Sequence, residues 1–426
     1  MNEMIKKDGK RPGHSAKLSG SDSDRKYVMD LIRQIVDKCP SRRPASHDEL
    51  VSQQIMQGEF DRLGLQTTWH HFKFSESLYA DLVLHFGLAT LGTAVSGIFP
   101  LAGLVLHGLS SGSYAAQSTR KHRVLRRLLK AKPSQNLLAT MPADGPAGTA
   151  PALRIVFLGH ADAAFTGVLF DPRVVKMAMG TKPPFDHTLG LATAATASLI
   201  PFDLARMVFG PVTLVLRPLE WALTAPAIAA FLLNLEVVLR DKVVPGANDN
   251  LTGTVALPVL AARLAAKKPA NVELVFVVTG CEEAALGGGM ALADEMKNTW
   301  DKGTTVIIGL DSLANGQLLY TDSEGEIVTL RTPKWLSDVA AGTAASNPEF
   351  NKIKGFGIPV GGTDVAAFLA RGYDGLCLVA IDEKFGSPTY YHTVEDSPEN
   401  LDEDHFMNAI DYAEALALAV IDARLK

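Results

Sequence analysis

Several short stretches of the chain carry side chains that bind metals or move protons. The first is Gly159-His160-Ala161-Asp162, which follows an apolar run at 153–158 of the kind that forms a buried strand. On an extended segment His160 and Asp162 face the same way. A carboxylate there could accept one ring N–H while the other ring nitrogen binds a metal ion. Alone, a strand-end histidine with a turn aspartate is more often structural. The second stretch, Pro245-Gly246-Ala247-Asn248-Asp249-Asn250, opens a helix. Its aspartate reads either as a helix cap or as a carboxylate bridging two metals.

Thr279-Gly280-Cys281-Glu282-Glu283 follows the apolar run 272–278. Two adjacent carboxylates after a buried strand are costly unless used. One could ligate a metal while the other polarises a water, or both could complement a helix N-terminus. Asp311 ends the run 304–310, and His392 lies in Tyr390-Tyr391-His392-Thr393 with Asp396 following. Each is unremarkable alone. Together, two histidines and three carboxylates form a mixed nitrogen and oxygen set suited to two zinc ions, with one glutamate left over as a base.

These residues need a scaffold that brings strand ends together. Segments 27–64 read as helical, with Gly64 as a C-cap, and 65–74 alternates as a strand. Strands at 136–141, 153–158, 272–279, 304–310 and 376–381 alternate with helices at 251–266, 285–297, 365–371 and 401–425. That order predicts an α/β fold: a three-layer α/β/α sandwich around a mostly parallel mixed sheet. His160, the Glu282–Glu283 pair and Asp311 would then lie at the carboxyl ends of strands, where sites in open α/β sheets assemble.

Of the 426 residues, 47% are hydrophobic, enough for a large core, and a net charge of -5 gives no pull toward nucleic acid. Three scattered cysteines, Cys39, Cys281 and Cys377, do not make a disulfide framework and suit a reducing compartment. Residues 1–26 are polar and charged, without the apolar run of a secretory signal, and read as a disordered tail.

The ordered series Gly-His-x-Asp, Gly-Ala-Asn-Asp-Asn, Cys-Glu-Glu, a strand-end Asp and Tyr-His-Thr resembles the clan MH zinc exopeptidases. That family includes bacterial leucyl aminopeptidases and the glutamate carboxypeptidase II type. The resemblance covers roughly 133–426 and implies two zinc ions and a peptide substrate. Asp249 would bridge the metals, with His160 and Asp311 completing one site and Glu283 and His392 the other. Glu282 would be the general base acting on a bridging water, Asp162 the partner of His160, and Tyr391 a donor to the oxyanion. Gly362-Thr363-Asp364 resembles the family's Ser-Asp-His segment, except that Val365 replaces the histidine. The absence of an arginine cluster for a substrate carboxylate favours an aminopeptidase over a carboxypeptidase. A one-zinc glutaminyl cyclase and a catalytically silent scaffold are the rival readings, and the intact Glu282 and full ligand set speak against both.

Two apolar insertions interrupt the peptidase domain of 27–426, at 78–117 and 163–244. Asp249 follows Asp162 by 87 positions, where the family needs only a short connection. From 86 to 106 there is no charged residue, about the length that crosses a bilayer. The stretch 188–239 is apolar but broken by prolines and by charges. Both insertions leave the domain and return, so each crosses a membrane an even number of times or not at all. A basic run at 120–132 follows the first. It marks a cytoplasmic face beside a membrane, or is an amphipathic helix with Val124, Leu125, Leu128 and Leu129 packed inward. The expectation is a membrane-associated enzyme with its catalytic domain on the cytoplasmic side. The soluble cytoplasmic alternative uses the apolar segments as a lid or homodimer surface.

Overall fold

The computed structural model describes residues 21–145, 150–171, 173–174, 188–358 and 361–425. Its centre is a nine-stranded mixed sheet. The strands are β1 (Gln66–Phe74), β2 (Lys132–Met141), β3 (Leu153–His160), β4 (Val272–Thr279), β5 (Thr305–Asp311), β6 (Gln317–Glu324), β7 (Leu330–Arg331), β8 (Gly355–Ile358) and β9 (Asp374–Ile381). Their order is β1-β2-β4-β3-β5-β9-β6-β7, with β8 beside β6. The four central strands β4, β3, β5 and β9 are parallel. β2 and β6 join them antiparallel on either side.

The central strands are apolar on both faces because helices cover both, as parallel sheets require. On one side lie α1 (Ser21–Lys38), α2 (His47–Arg62), α8 (Gly253–Ala265), α10 (Lys334–Ser346) and α12 (Glu403–Leu425); on the other lie α9 (Gly287–Met296) and α11 (Asp364–Leu369). Phe157 and Phe276, 5.3 Å apart and stacked, join β3 to β4 in the larger core. Chain order makes β3 the switch point: from it the chain goes to β4 on one side, then crosses to β5 on the other. The crevice beyond its carboxyl end is where such folds bind ligands.

The remaining helices form a separate layer. They are α3 (Leu78–Ser96), α4 (Pro100–Ser118), α5 (Thr188–Ala197), α6 (Ile200–Phe209) and α7 (Arg217–Arg240). α3 and α4 make a helical hairpin over 78–117, turning just before Pro100, which starts α4 where its missing N–H costs nothing. The second insertion packs against the first, α7 along α3, and α5 and α6 along α4. Leu78–Ser96 and Leu189–Arg240 are long and apolar enough to cross a membrane.

Three expectations need correction. Residues 21–26, expected in the tail, are the first turns of α1; Asp22 and Asp24 complement its N-terminus, and Arg263 Nη2 holds Asp24 at 2.7 Å. Residues 1–20 lie outside the described residues. The basic run forms no amphipathic helix. Only a short 3-10 turn, Leu125–Leu128, is present, with Leu125 and Arg126 buried but Val124 and Leu128 exposed. Arg126 turns inward to Asp81 and to the carbonyls of Ser75 and Ser77. Finally, the expected elements leave a gap between 310 and 365, whereas β6 to β8 and α10 occupy 317–358.

Candidate active site

The seven charged residues singled out from the sequence converge past the carboxyl ends of β3, β4 and β5. His160 is the last residue of β3 and Asp311 the last of β5. Glu282 and Glu283 follow β4, whose Thr279 lies in register with His160. Asp249 precedes α8, and His392 comes from the loop after β9. His160 Nε2 is 3.3 Å from Asp249 Oδ1 and 3.9 Å from Asp311 Oδ2. His392 Nε2 is 3.4 Å from Asp249 Oδ2 and 3.3 Å from Glu283 Oε2. The two oxygens of Asp249 therefore face two histidines, and two three-residue sets share that carboxylate. Glu282 belongs to neither; its Oε2 lies 3.8 Å from His160 Nε2.

Hydrogen bonds to the backbone fix these loops. Four successive amides, Gly280 to Glu283, donate to buried carbonyl or carboxylate oxygens. Gly280 donates to Asn136 at 3.1 Å and Cys281 to Glu49 at 2.7 Å. Glu282 and Glu283 donate to the two oxygens of Asp162, at 3.0 and 2.9 Å. This alters the expected role of Asp162. Its backbone carbonyl, at 3.0 Å, takes the His160 Nδ1 hydrogen bond, while the carboxylate Oδ1 stands 3.7 Å away and holds the glutamate turn. Asp396 does the same for the other loop, accepting from the amides of Asn248 at 2.6 Å and Asp249 at 3.0 Å.

Side chains of the Asp249 loop are stitched to the segment after β5. Asn250 Oδ1 accepts from Ser312, Asn248 Oδ1 from Ala314, and Thr252 Oγ1 from Leu313. The approach is so close that a Cβ at Gly253 would lie 2.1 Å from the Leu310 carbonyl oxygen. Arg42, fully buried between α1 and α2, donates to the carbonyls of Ala161, Pro245 and Gly246. It thereby ties the His160 loop to the Asp249 loop. Burial lowers its guanidinium to about 10, leaving it protonated at neutral pH. Cys281, Ser312 and His392, all at the site, adopt positive φ, a strained conformation that tends to gather at functional sites.

The site is short of positive charge. Burial drives Glu282 well above the ordinary carboxylate range; Asp364 and Asp311 add to this while His160 opposes it. Burial likewise raises Glu283, with Asp249 and Glu282 adding to it. Asp311 rises to about 7 through burial and Asp249. Burial opposes but does not prevent the two imidazoles holding Asp249 below its usual value. His160 is raised against burial by Glu282, Asp249 and Asp162. Two buried atoms inside the cluster, His160 Nε2 and Glu283 Oε1, have no hydrogen-bond partner.

Several contributors were not read from the sequence. Tyr79, in the first turn of α3, places its hydroxyl 3.2 Å from His392 Nδ1. Phe170 lies 4.5 Å from the His392 ring. Tyr391 stacks on His392 at 3.7 Å between centroids and is partly exposed. Asp364 accepts a hydrogen bond from Thr279 beneath the site. Val365 does not reach it. It is core, wedged against Gly309 and Gly375, so the departure from the Ser-Asp-His pattern removes no group from this cluster. A sequence signal existed for Asp396, four residues after His392, but none for Tyr79 or Phe170, which lie in apolar insertions.

Comparison with known proteins finds a family match over part of the chain and structures of similar fold. Residues 236–417 match the family described as Peptidase family M28. A comparison with curated proteins finds no match. Among solved structures, a zinc aminopeptidase from Bacillus subtilis is similar at 14% identity and TM-score 0.54, covering 92% of this chain and 94% of its own. A Fimbriiglobus ruber glutaminyl cyclase is similar at 13% identity and TM-score 0.53, covering 93% and 95%. A Zn-dependent exopeptidase from Parabacteroides distasonis is similar at 13% identity and TM-score 0.52, covering 94% and 97%. At these identities the likeness is one of fold.

Proposed function

Because the chain carries a peptidase family M28 domain across residues 236–417, we propose that it is a zinc-dependent exopeptidase of the aminopeptidase type, holding two zinc ions and removing N-terminal residues from peptides. The observation that carries this reading is the pair of ligand sets meeting at Asp249. In it, His160 and Asp311 would hold one ion and Glu283 and His392 the other, with Asp249 shared between the two sets. The donors fit: imidazole and carboxylate suit zinc, and the unpartnered His160 Nε2 and Glu283 Oε1 point into the cluster. A divalent cation also supplies the positive charge the buried carboxylates lack.

Zinc, when bound, supplies Lewis acidity toward the scissile carbonyl and a water activated near neutral pH. Glu282, left out of both ligand sets, takes the proton of the attacking water and passes it to the amine nitrogen as the C–N bond breaks. Tyr391, stacked on His392, is the side chain whose hydroxyl would donate to the developing oxyanion. Asp162 is a positioning residue: it holds the amides of Glu282 and Glu283 and does not touch the reacting atoms.

The acid excess also supports an aminopeptidase. After burial, the groups that act on Glu282 and Glu283 are neighbouring carboxylates and the His160 ring, and Arg42 is committed to backbone carbonyls. Such a site favours a substrate's α-ammonium over its carboxylate. The test is hydrolysis of aminoacyl-nitroanilides and peptides with free or acetylated N-termini. Cleavage confined to free N-termini is expected. Cleavage from the C-terminus would redirect the reading to a carboxypeptidase, and pyroglutamate formation without hydrolysis to a cyclase.

A further inference from the structure

The layer formed by α3 to α7 is built the reverse of a soluble unit. From 78 to 117 and from 189 to 235, the charged side chains are Asp81, Asp203, Arg206, Arg217 and Glu220. Four are buried, and Arg217 is only 20% exposed. Their partners lie inside. His107 Nδ1 is 2.7 Å from Asp203 Oδ2, and its Nε2 is 3.1 Å from Thr93, whose hydroxyl meets Thr224 at 2.7 Å. Arg206 and Arg217 both donate to Ser96 Oγ and both pair with Glu220.

The outer surface is the opposite. Ile98 is 78% exposed, Phe99 63%, Val208 75%, Val212 73% and Val215 79%. These side chains cluster at one end, because the α3–α4 turn at Gly97 abuts Leu214 and Arg217. Small residues sit where the helices cross: a Cβ at Gly92 would meet His107 at 2.8 Å, and one at Gly103 would meet Ser96 at 2.4 Å. Polar groups turned inward, apolar groups outward and small residues at crossings are the pattern of helices packed within lipid.

We infer that this five-helix layer inserts into a lipid bilayer from one face, tip first, with residues 97–101 and 207–219 deepest. α3 is 19 residues long, about 28 Å at 1.5 Å per residue, close to the ~30 Å of the hydrocarbon core. The tip's one charged side chain, Arg217, is 20% exposed and paired with Glu220, and both insertions return to the catalytic domain, so the layer enters without delivering a domain across. At its base, α4 runs into the exposed Lys121, Arg127 and Lys130. These complement anionic headgroups. The base also carries Tyr79 against His392, which holds the mouth of the candidate active site next to the headgroup layer.

The test uses the full chain with vesicles of equal phosphatidylcholine and phosphatidylglycerol. Expected is flotation with the vesicles that survives high salt, with Trp221, 38% exposed near the tip, quenched by lipids brominated in mid-chain. Trp221→Phe should lose that quenching. The triple variant Phe99→Glu, Val208→Glu and Val215→Glu should lower the bound fraction at least tenfold while peptide hydrolysis continues. Wild type that stays in the aqueous phase would overturn the inference. So would binding abolished by salt without quenching, which is surface adsorption, or a soluble dimer that the glutamates split, which would make a second copy the occupant. If the triple variant fails to fold, the quenching of wild type decides.

Discussion

The hydroxyl of Tyr79 lies 3.2 Å from Nδ1 of His392, so the first turn of an apolar insertion orients a side chain of the candidate metal cluster. Nε2 is turned to Asp249 and Glu283, so a metal on Nε2 would leave the hydrogen on Nδ1, to be donated to the Tyr79 oxygen. Such partners fix the tautomer and orientation of a ligating histidine. Tyr79→Phe keeps the ring and its packing on Phe165 and Phe170. It should weaken zinc binding by about 10- to 100-fold with unchanged circular dichroism, measured by competition with a chelator. Unaltered zinc affinity would mean the contact is only packing.

Glu282→Gln tests the division of labour between the adjacent glutamates. The amide is isosteric and leaves both ligand sets around Asp249 intact, but it cannot accept a proton. Metal content should persist while turnover falls by about 10²- to 10⁴-fold. Loss of metal would instead make Glu282 a ligand, since His160, Glu282 and Glu283 also lie close enough to form a set.

Arg42 is the largest fully buried side chain, and its donors go to carbonyls on two separate loops. Arg42→Met removes the charge and leaves those carbonyls unpaired, which should cost about 3 kcal/mol, read from chemical denaturation. Arg42→Lys should rescue little, because an ammonium cannot span the same fork of acceptors. Full rescue by lysine would show that charge alone matters.

Glu324 gives a pH dependence away from the cluster. Burial raises its carboxyl to about 7, although Thr363 and Thr321 donate to it. The folded state therefore holds this proton more tightly than the unfolded state, whose value is near 4.5. The resulting stability is full below about pH 4.5 and is lost as pH rises to about 7, a change on the order of 3 kcal/mol. Relative to wild type, Glu324→Gln should gain stability over that window, because the glutamine stays neutral. A constant difference between the two proteins across the window would refute the assignment.

Much of the site was legible because its residues sit at strand ends, where a buried apolar run stops and a polar residue follows. Strands β3, β4 and β5 are continuous apolar segments, so His160, the Glu282–Glu283 pair and Asp311 could be placed from pattern alone. Asp249 and His392 needed the order of the motifs. The residues that brace these groups from distant parts of the chain were not legible. Glu49, Arg42 and Tyr79 act across long sequence separations and have no local signature. The edge of the sheet was also missed: β8 is four residues with two glycines, and β6 loses its apolar character after Tyr320. The family match begins at 236, past His160 and Asp162 and near the end of the insertion at 163–244. That insertion displaces the first motif from the rest.

The most direct measurement is zinc per chain by elemental analysis on purified protein, paired with hydrolysis of aminoacyl-nitroanilides before and after chelation. The account predicts two zinc ions per chain, with activity that chelator abolishes and zinc restores. One ion, or none after reconstitution with no hydrolysis, would contradict the shared-Asp249 centre.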